Sequence, residues 1–150
     1  VEEPDSIMAR GGMQVGACLG GVSFLKGLGL VHAISHMVGA EFDTHHGLTN
    51  AIVLPTVLRF NASAISHKLP AMSRALGLES ADFASFDAAI CQMLDRLDIP
   101  SSLSDIGVPV EAAKSIAEKA HQDAAAATNP READVETIER LVIESITRGR

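Results

Sequence analysis

The sequence predicts an all-α, bundle-like domain, and three observations carry that expectation. Apolar residues recur at three- and four-residue spacing through most of the chain, while alternating runs long enough to make strands are absent. Carboxylates stand directly before the best periodic runs, Asp82 and Asp134 being the clearest helix starts. Composition is ordinary for a globular domain: 150 residues, 47% hydrophobic and 21% charged, enough to bury one core. A single domain over 1–150 follows.

Taken in order, Asp5 is read as the cap of a first helix that runs to about Leu19. Ile7, Met8, Met13, Val15 and Cys18 are its apolar positions, and Gly20-Gly21 allows its end. The apolar stretch 13–31 raises the question of a membrane span. Gln14, Lys26 and several glycines interrupt it, so a buried core helix followed by a turn fits better. A second helix is expected over 23–37, loosened by Gly27 and Gly29. The third, over 47–61, shows Leu48, Ile52, Val53, Val57 and Phe60 at helical spacing, with Pro55 expected to kink it. A fourth spans 65–76 and stops at Gly77. Asp82 caps the fifth, over 82–97, with the stripe Phe86, Ile90, Met93, Leu94 and Leu97. Residues 100–103 connect to a helix over 110–123 that turns Ile116 and Ala120 inward, and the alanines 124–127 extend it until Thr128-Asn129-Pro130-Arg131 forces a loop. Asp134 caps the last helix. Glu136 and Glu139 suit its N-terminal dipole, and Ile138, Leu141, Val142 and Ile146 line its inner side.

Charge and motifs exclude several classes. A net charge of −7 with twelve scattered Lys and Arg argues against a nucleic-acid surface. No glycine-rich phosphate loop follows a strand, so the chain has no nucleotide motif of its own. Cys18 and Cys91 lack metal or redox spacing and read as buried thiols of a reducing, cytoplasmic setting. The opening Val1-Glu2-Glu3-Pro4-Asp5 has the character of neither a signal nor a transit peptide.

The densest chemical signal is histidine. Four of the six lie between His32 and His46. His32 and His36 are four residues apart and share a helix face, and the Gly39 and Asp43-Thr44 break lets His46 fold back towards them. Such a cluster suits metal binding, proton transfer or both. Zinc proteases with two histidines at this spacing carry Glu after the first, and here that residue is Ala33. His67 and His121 fall on polar helix faces and read as surface groups.

Gly29-Leu30-Val31-His32-Ala33-x-x-His36, the Asp43-Thr44-x-His46-Gly47 turn, Asn50-Ala51-Ile52-Val53-Leu54-Pro55 and Val57-Leu58-Arg59-Phe60-Asn61 together resemble the signature of the iron-dependent (group III) alcohol dehydrogenases. Ala9-Arg10-x-x-Met13 is similar to the segment leading into that signature, and Asn129-Pro130-Arg131-Glu132 to the loop before the family's last helix. The resemblance implies a two-domain enzyme of which this chain is the C-terminal helical, metal-binding part. An N-terminal dinucleotide-binding domain, absent here, would hold most of NAD or NADP. It implies His32 and His46 as metal ligands and His36, near the nicotinamide, as proton relay. The remaining ligands are an Asp and a His on a helix upstream of Val1. His45 stands where relatives often have Pro and is expected behind the ligands or facing solvent. The resemblance further implies Fe2+, with Zn2+ an alternative the same donors accept, a small alcohol or aldehyde substrate, and a homo-oligomer. The chemistry implied is alcohol–carbonyl interconversion, in which a Lewis-acidic metal lowers the alcohol pKa and hydride passes to the nicotinamide. Alone, the chain is expected to be inactive. The competing expectation is a stand-alone helical scaffold or partner-binding module descended from such an enzyme, its histidines merely inherited.

Overall fold

The computed structural model describes residues 2–150. Its helices are α1 (Ile7–Ser23), α2 (Gly29–Phe42), α3 (His46–Ile65), α4 (Leu69–Ala75), α5 (Phe83–Arg96), α6 (Ala113–Gln122) and α7 (Val135–Thr147), joined by short 3-10 turns, with no strand among the described residues. The all-α expectation holds.

Helix α2 packs on α3 and α6, and α7 closes the group against α6 and α3. Their shared core is Leu30, Ile34 and Val38 from α2, Ile52, Val53 and Val57 from α3, Ile116 and Ala120 from α6, and Ile138 and Val142 from α7, all buried. Each large aliphatic side chain buried this way contributes about 1.5–3 kcal/mol of transfer free energy. Alanines at 113, 117 and 120 give α6 a flat face on which two helices can settle. A smaller cluster of Leu69, Phe86, Ile90 and Leu94 joins α4 and α5 to the outer side of α3. The Asp82 carboxylate accepts from the Ser85 N–H at 2.8 Å and that of Asp134 from the Thr137 N–H at 2.8 Å, so both caps are where the sequence places them.

Several expectations need correction. Helix α1 starts one residue later than Asp5 implies, because the Ser6 hydroxyl accepts from the Ala9 N–H at 3.2 Å and is the true cap. It is also not a core helix. None of its residues is buried, and Ile7, Met8, Met13, Val15, Leu19 and Val22 are all exposed. The pattern was helical and amphipathic enough to promise burial, but no other part of the described chain covers it. Cys18 on this helix is therefore exposed and Cys91 on α5 only half-buried. The second expected helix is cut at Gly27, whose φ of +100° L-residues rarely adopt and whose hydrogen faces the Thr128 side chain where a Cβ would collide. The chain turns by 102° there before α2 begins. Helix α3, expected to end near Asn61, includes Pro55 and runs on to Ile65. Met93 and Leu97, expected inward on α5, stay largely exposed. The alanine run does not extend α6: Asp123 adopts extended backbone, ψ 135°, and a 3-10 turn, Ala126–Thr128, follows.

Candidate functional site

The site begins with how α2 is started and stopped. At its N-terminus, where the first helical N–H groups lack partners within the helix, the Thr128 hydroxyl accepts from Leu28 N at 3.0 Å and Gly29 N at 3.1 Å. The Asn129 carboxamide accepts from Leu30 N at 3.2 Å. A loop a hundred residues downstream thus caps the histidine helix. At the other end Asp43 takes left-handed backbone, φ 52°, and donates its N–H to Gly39 O. Thr44 and His45 then reverse the chain into α3. His45 is the cap of α3, its Nδ1 accepting from Leu48 N at 3.3 Å, and its side chain is exposed.

This turn brings together the residues that the spacing selects. The ring centroids of His32 and His36 are 5.8 Å apart, those of His32 and His46 5.3 Å, and those of His36 and His46 5.5 Å with the rings nearly parallel. Phe24 meets His32 edge-on at 5.5 Å. His67 and His121 are exposed, apart from the cluster.

Two residues that sequence reasoning missed complete the arrangement. Asn50 lies one turn beyond His46 on α3, and its Nδ2 sits 3.3 Å from His32 Nε2 and 3.0 Å from His46 Nε2. Its carboxamide oxygen is buried without a partner. With an N–H donor between them, both Nε2 atoms present lone pairs to one place. Spacing of i to i+4 from His46 was a signal that could have found it. Asp123, at the end of α6, approaches His36 Nδ1 with its Oδ2 at 3.0 Å. Burial pushes its carboxyl up, but the Ala125 N–H and the His36 ring outweigh that and hold it below the usual carboxylate range.

Both Nε2 atoms face the Asn50 amide nitrogen, so a divalent cation that takes the two imidazoles as donors displaces that NH2 from between them. They are two donors of the four that a stable site of this kind wants. Among the described residues no group of three or more His, Cys, Asp or Glu is placed to hold a metal ion.

Burial pushes the His32 pKa below its ordinary 6.5, and the neighbouring His46 and His36 add to this, against smaller opposing effects from the Leu28 backbone and Asp123. The unfolded chain takes up this proton near pH 6.5 and the folded chain only at lower pH. Neutral His32 therefore contributes stability that is complete above pH 6.5 and is lost as pH falls through the folded value. Urea unfolding of the metal-free chain at pH 7.5 and 5.5 should show a larger loss on acidification for the wild type than for His32→Gln. Equal losses would contradict the assignment.

The clustered imidazoles of this all-α domain thus come from two adjoining helices, His32 and His36 from α2 and His46 from the start of α3. The family model described as "Fe-containing alcohol dehydrogenase family, C-terminal" matches residues 1–146, and the chain belongs to that family. It is 38% identical over 137 residues to lactaldehyde reductase of Escherichia coli (strain K12), covering 86% of this chain and 36% of that protein. With the 1-propanol dehydrogenase of Salmonella typhimurium it shares 34% over 158 residues, covering 96% of this chain and 42% of that one. Among solved structures, the alcohol dehydrogenase from Oenococcus oeni superposes with a TM-score of 0.72 at 31% identity, over 78% of this chain and 32% of the other. The chain thus spans well under half the length of these relatives.

Proposed function

We propose that this chain is the metal-holding, catalytic part of a nicotinamide-dependent alcohol dehydrogenase that interconverts a small alcohol with its aldehyde or ketone. The observation that carries the reading is the meeting of His32 Nε2 and His46 Nε2 on the Asn50 amide, in a chain of this family. His32 and His46 are the ligands it contributes, and His36 is the proton relay and the neighbour of the nicotinamide. Fe2+ is the metal the family name favours, and Zn2+ suits the same donors. When bound, the cation supplies Lewis-acid polarisation of the substrate oxygen. Around it the chain's own work is positioning: Asn50 spans the two ligand rings, Asp43 and His45 fix the turn between their helices, and the Thr128-Asn129 cap fixes the start of α2. The remaining ligands, and most of the NAD(P) contacts, belong to an N-terminal dinucleotide-binding domain, the principal partner. Assembly as a homo-oligomer in the cytoplasm completes the proposal.

Proton NMR of the imidazoles during titration with Zn2+ tests the ligand assignment on the chain as it stands. The His32 and His46 ring signals are expected to move together, with those of His67 and His121 unchanged. Movement of His67 or His121 in their place would overturn the site.

A further inference from the structure

We propose that Asp123 is a positioning residue that locks His36 in the tautomer protonated at Nδ1, leaving the ring's lone pair on Nε2. The inference rests on the reading of His36 as a relay for its use, but on geometry alone for its truth.

Both oxygens of the carboxylate are committed. Oδ1 accepts from the Ala125 N–H at 2.7 Å, and Oδ2 faces His36 Nδ1 at 3.0 Å. An ionised carboxylate only accepts hydrogen bonds, so the proton between Oδ2 and the ring must lie on Nδ1. A neutral His36 then has its lone pair on Nε2 and no freedom to exchange tautomers without breaking that bond. The carboxylate cannot swing away either. It sits where α6 ends and the chain turns extended at Asp123, and the loop that follows is anchored five and six residues on by the Thr128 and Asn129 caps on α2. The loop therefore grips the histidine helix at two points, its first turn and His36, two turns along. Ring orientation follows from the same contact, which explains how His36 lies nearly parallel to His46, 5.5 Å away. The His36 side chain is 36% exposed, so the ring is reachable from solvent. A carboxylate that fixes tautomer and orientation without itself being protonated is the role known for the acidic member of hydrolase triads.

The proposal makes an unusual demand of Asp123→Asn. The Ala125 N–H needs an acceptor, so the new carboxamide must turn its oxygen there and its NH2 towards His36. A donor now faces Nδ1, and the proton moves to Nε2. Long-range 15N–1H correlation of the imidazoles in the metal-free 150-residue chain at pH 8 reads this directly. The expected results are Nδ1–H His36 in the wild type, Nε2–H in Asp123→Asn, and a mixture in Asp123→Ala. His32, whose Nε2 faces the Asn50 amide at 3.3 Å, serves as the internal control for folding and keeps its own tautomer throughout. An Nε2–H His36 in the wild type, or Nδ1–H retained in both variants while His32 is unchanged, would overturn the proposal. Either outcome leaves the assignment of His32 and His46 as ligands intact, so failure here and failure of the functional reading are separable.

Discussion

Given Fe2+ or Zn2+, NAD(P) and a panel of small primary alcohols, the isolated 150-residue chain is expected to form no reduced nicotinamide above the blank. It should also hold zinc roughly a thousandfold more weakly than a two-domain relative, because it offers two of about four protein ligands. The deficit is one of geometry as well as number. Catalysis of hydride transfer depends on holding donor and acceptor carbons in a near-attack arrangement, worth up to about 7–11 kcal/mol, and in the proposed reading most of the dinucleotide contacts come from the other domain. An unfolded sample would also be inactive, so the assay is paired with the zinc-dependent shifts of His32 and His46, which report an intact site. Turnover that His32→Ala abolishes would mean that the missing ligands come from within this sequence. Inactivity with no zinc response at His32 and His46 would favour the scaffold reading, in which the histidines are inherited and idle.

What the sequence made legible follows a physical division. Helix α7 was readable because cap and stripe agree, Asp134 bonding the Thr137 N–H with Ile138 and Val142 buried, whereas α5 was marked by its Asp82 cap and α6 by the buried Ile116 and Ala120. Helix α1 was readable as a helix and misread as core. Periodicity records that a face needs covering, and the local pattern around Ile7, Met13 and Leu19 is silent on which polypeptide covers it. The histidine cluster was legible for the opposite reason, since His32, His36 and His46 lie on neighbouring elements joined by one turn. Asn50 was within reach of the same spacing argument. Asp123 was not: 87 residues separate it from His36, and only the tertiary packing of α6 on α2 brings them together. The same holds for the capping of α2 by Thr128 and Asn129. Local sequence marks 128–131 as a loop but not what the loop grips.

That grip should make Asn129→Ala the most destabilising single substitution among the polar residues around the site. The Asn129 carboxamide oxygen accepts from Leu30 N at 3.2 Å and from Asn61 Nδ2 at 3.0 Å. Its NH2 donates to Asn61 Oδ1 at 2.8 Å and to Arg131 O at 2.6 Å. Asn61 is buried on α3, so the paired carboxamides tie α2, α3 and the loop before α7 at one point. Truncation to Ala removes all four bonds and strands the Asn61 amide and the Leu30 N–H away from water. Each stranded group costs about 1–3 kcal/mol, so a total loss of roughly 3 kcal/mol is expected, a large part of the 5–15 kcal/mol typical of a domain. For a chain of this length that lowers the melting temperature by roughly 10 °C. Asn61→Ala alone should cost a similar amount, and the double variant much less than the sum, because removing both partners leaves fewer orphans. Calorimetric melting of the three variants checks the cycle. Strictly additive losses, or an Asn129→Ala variant as stable as the wild type, would show that the amide pair does not clamp the histidine helix.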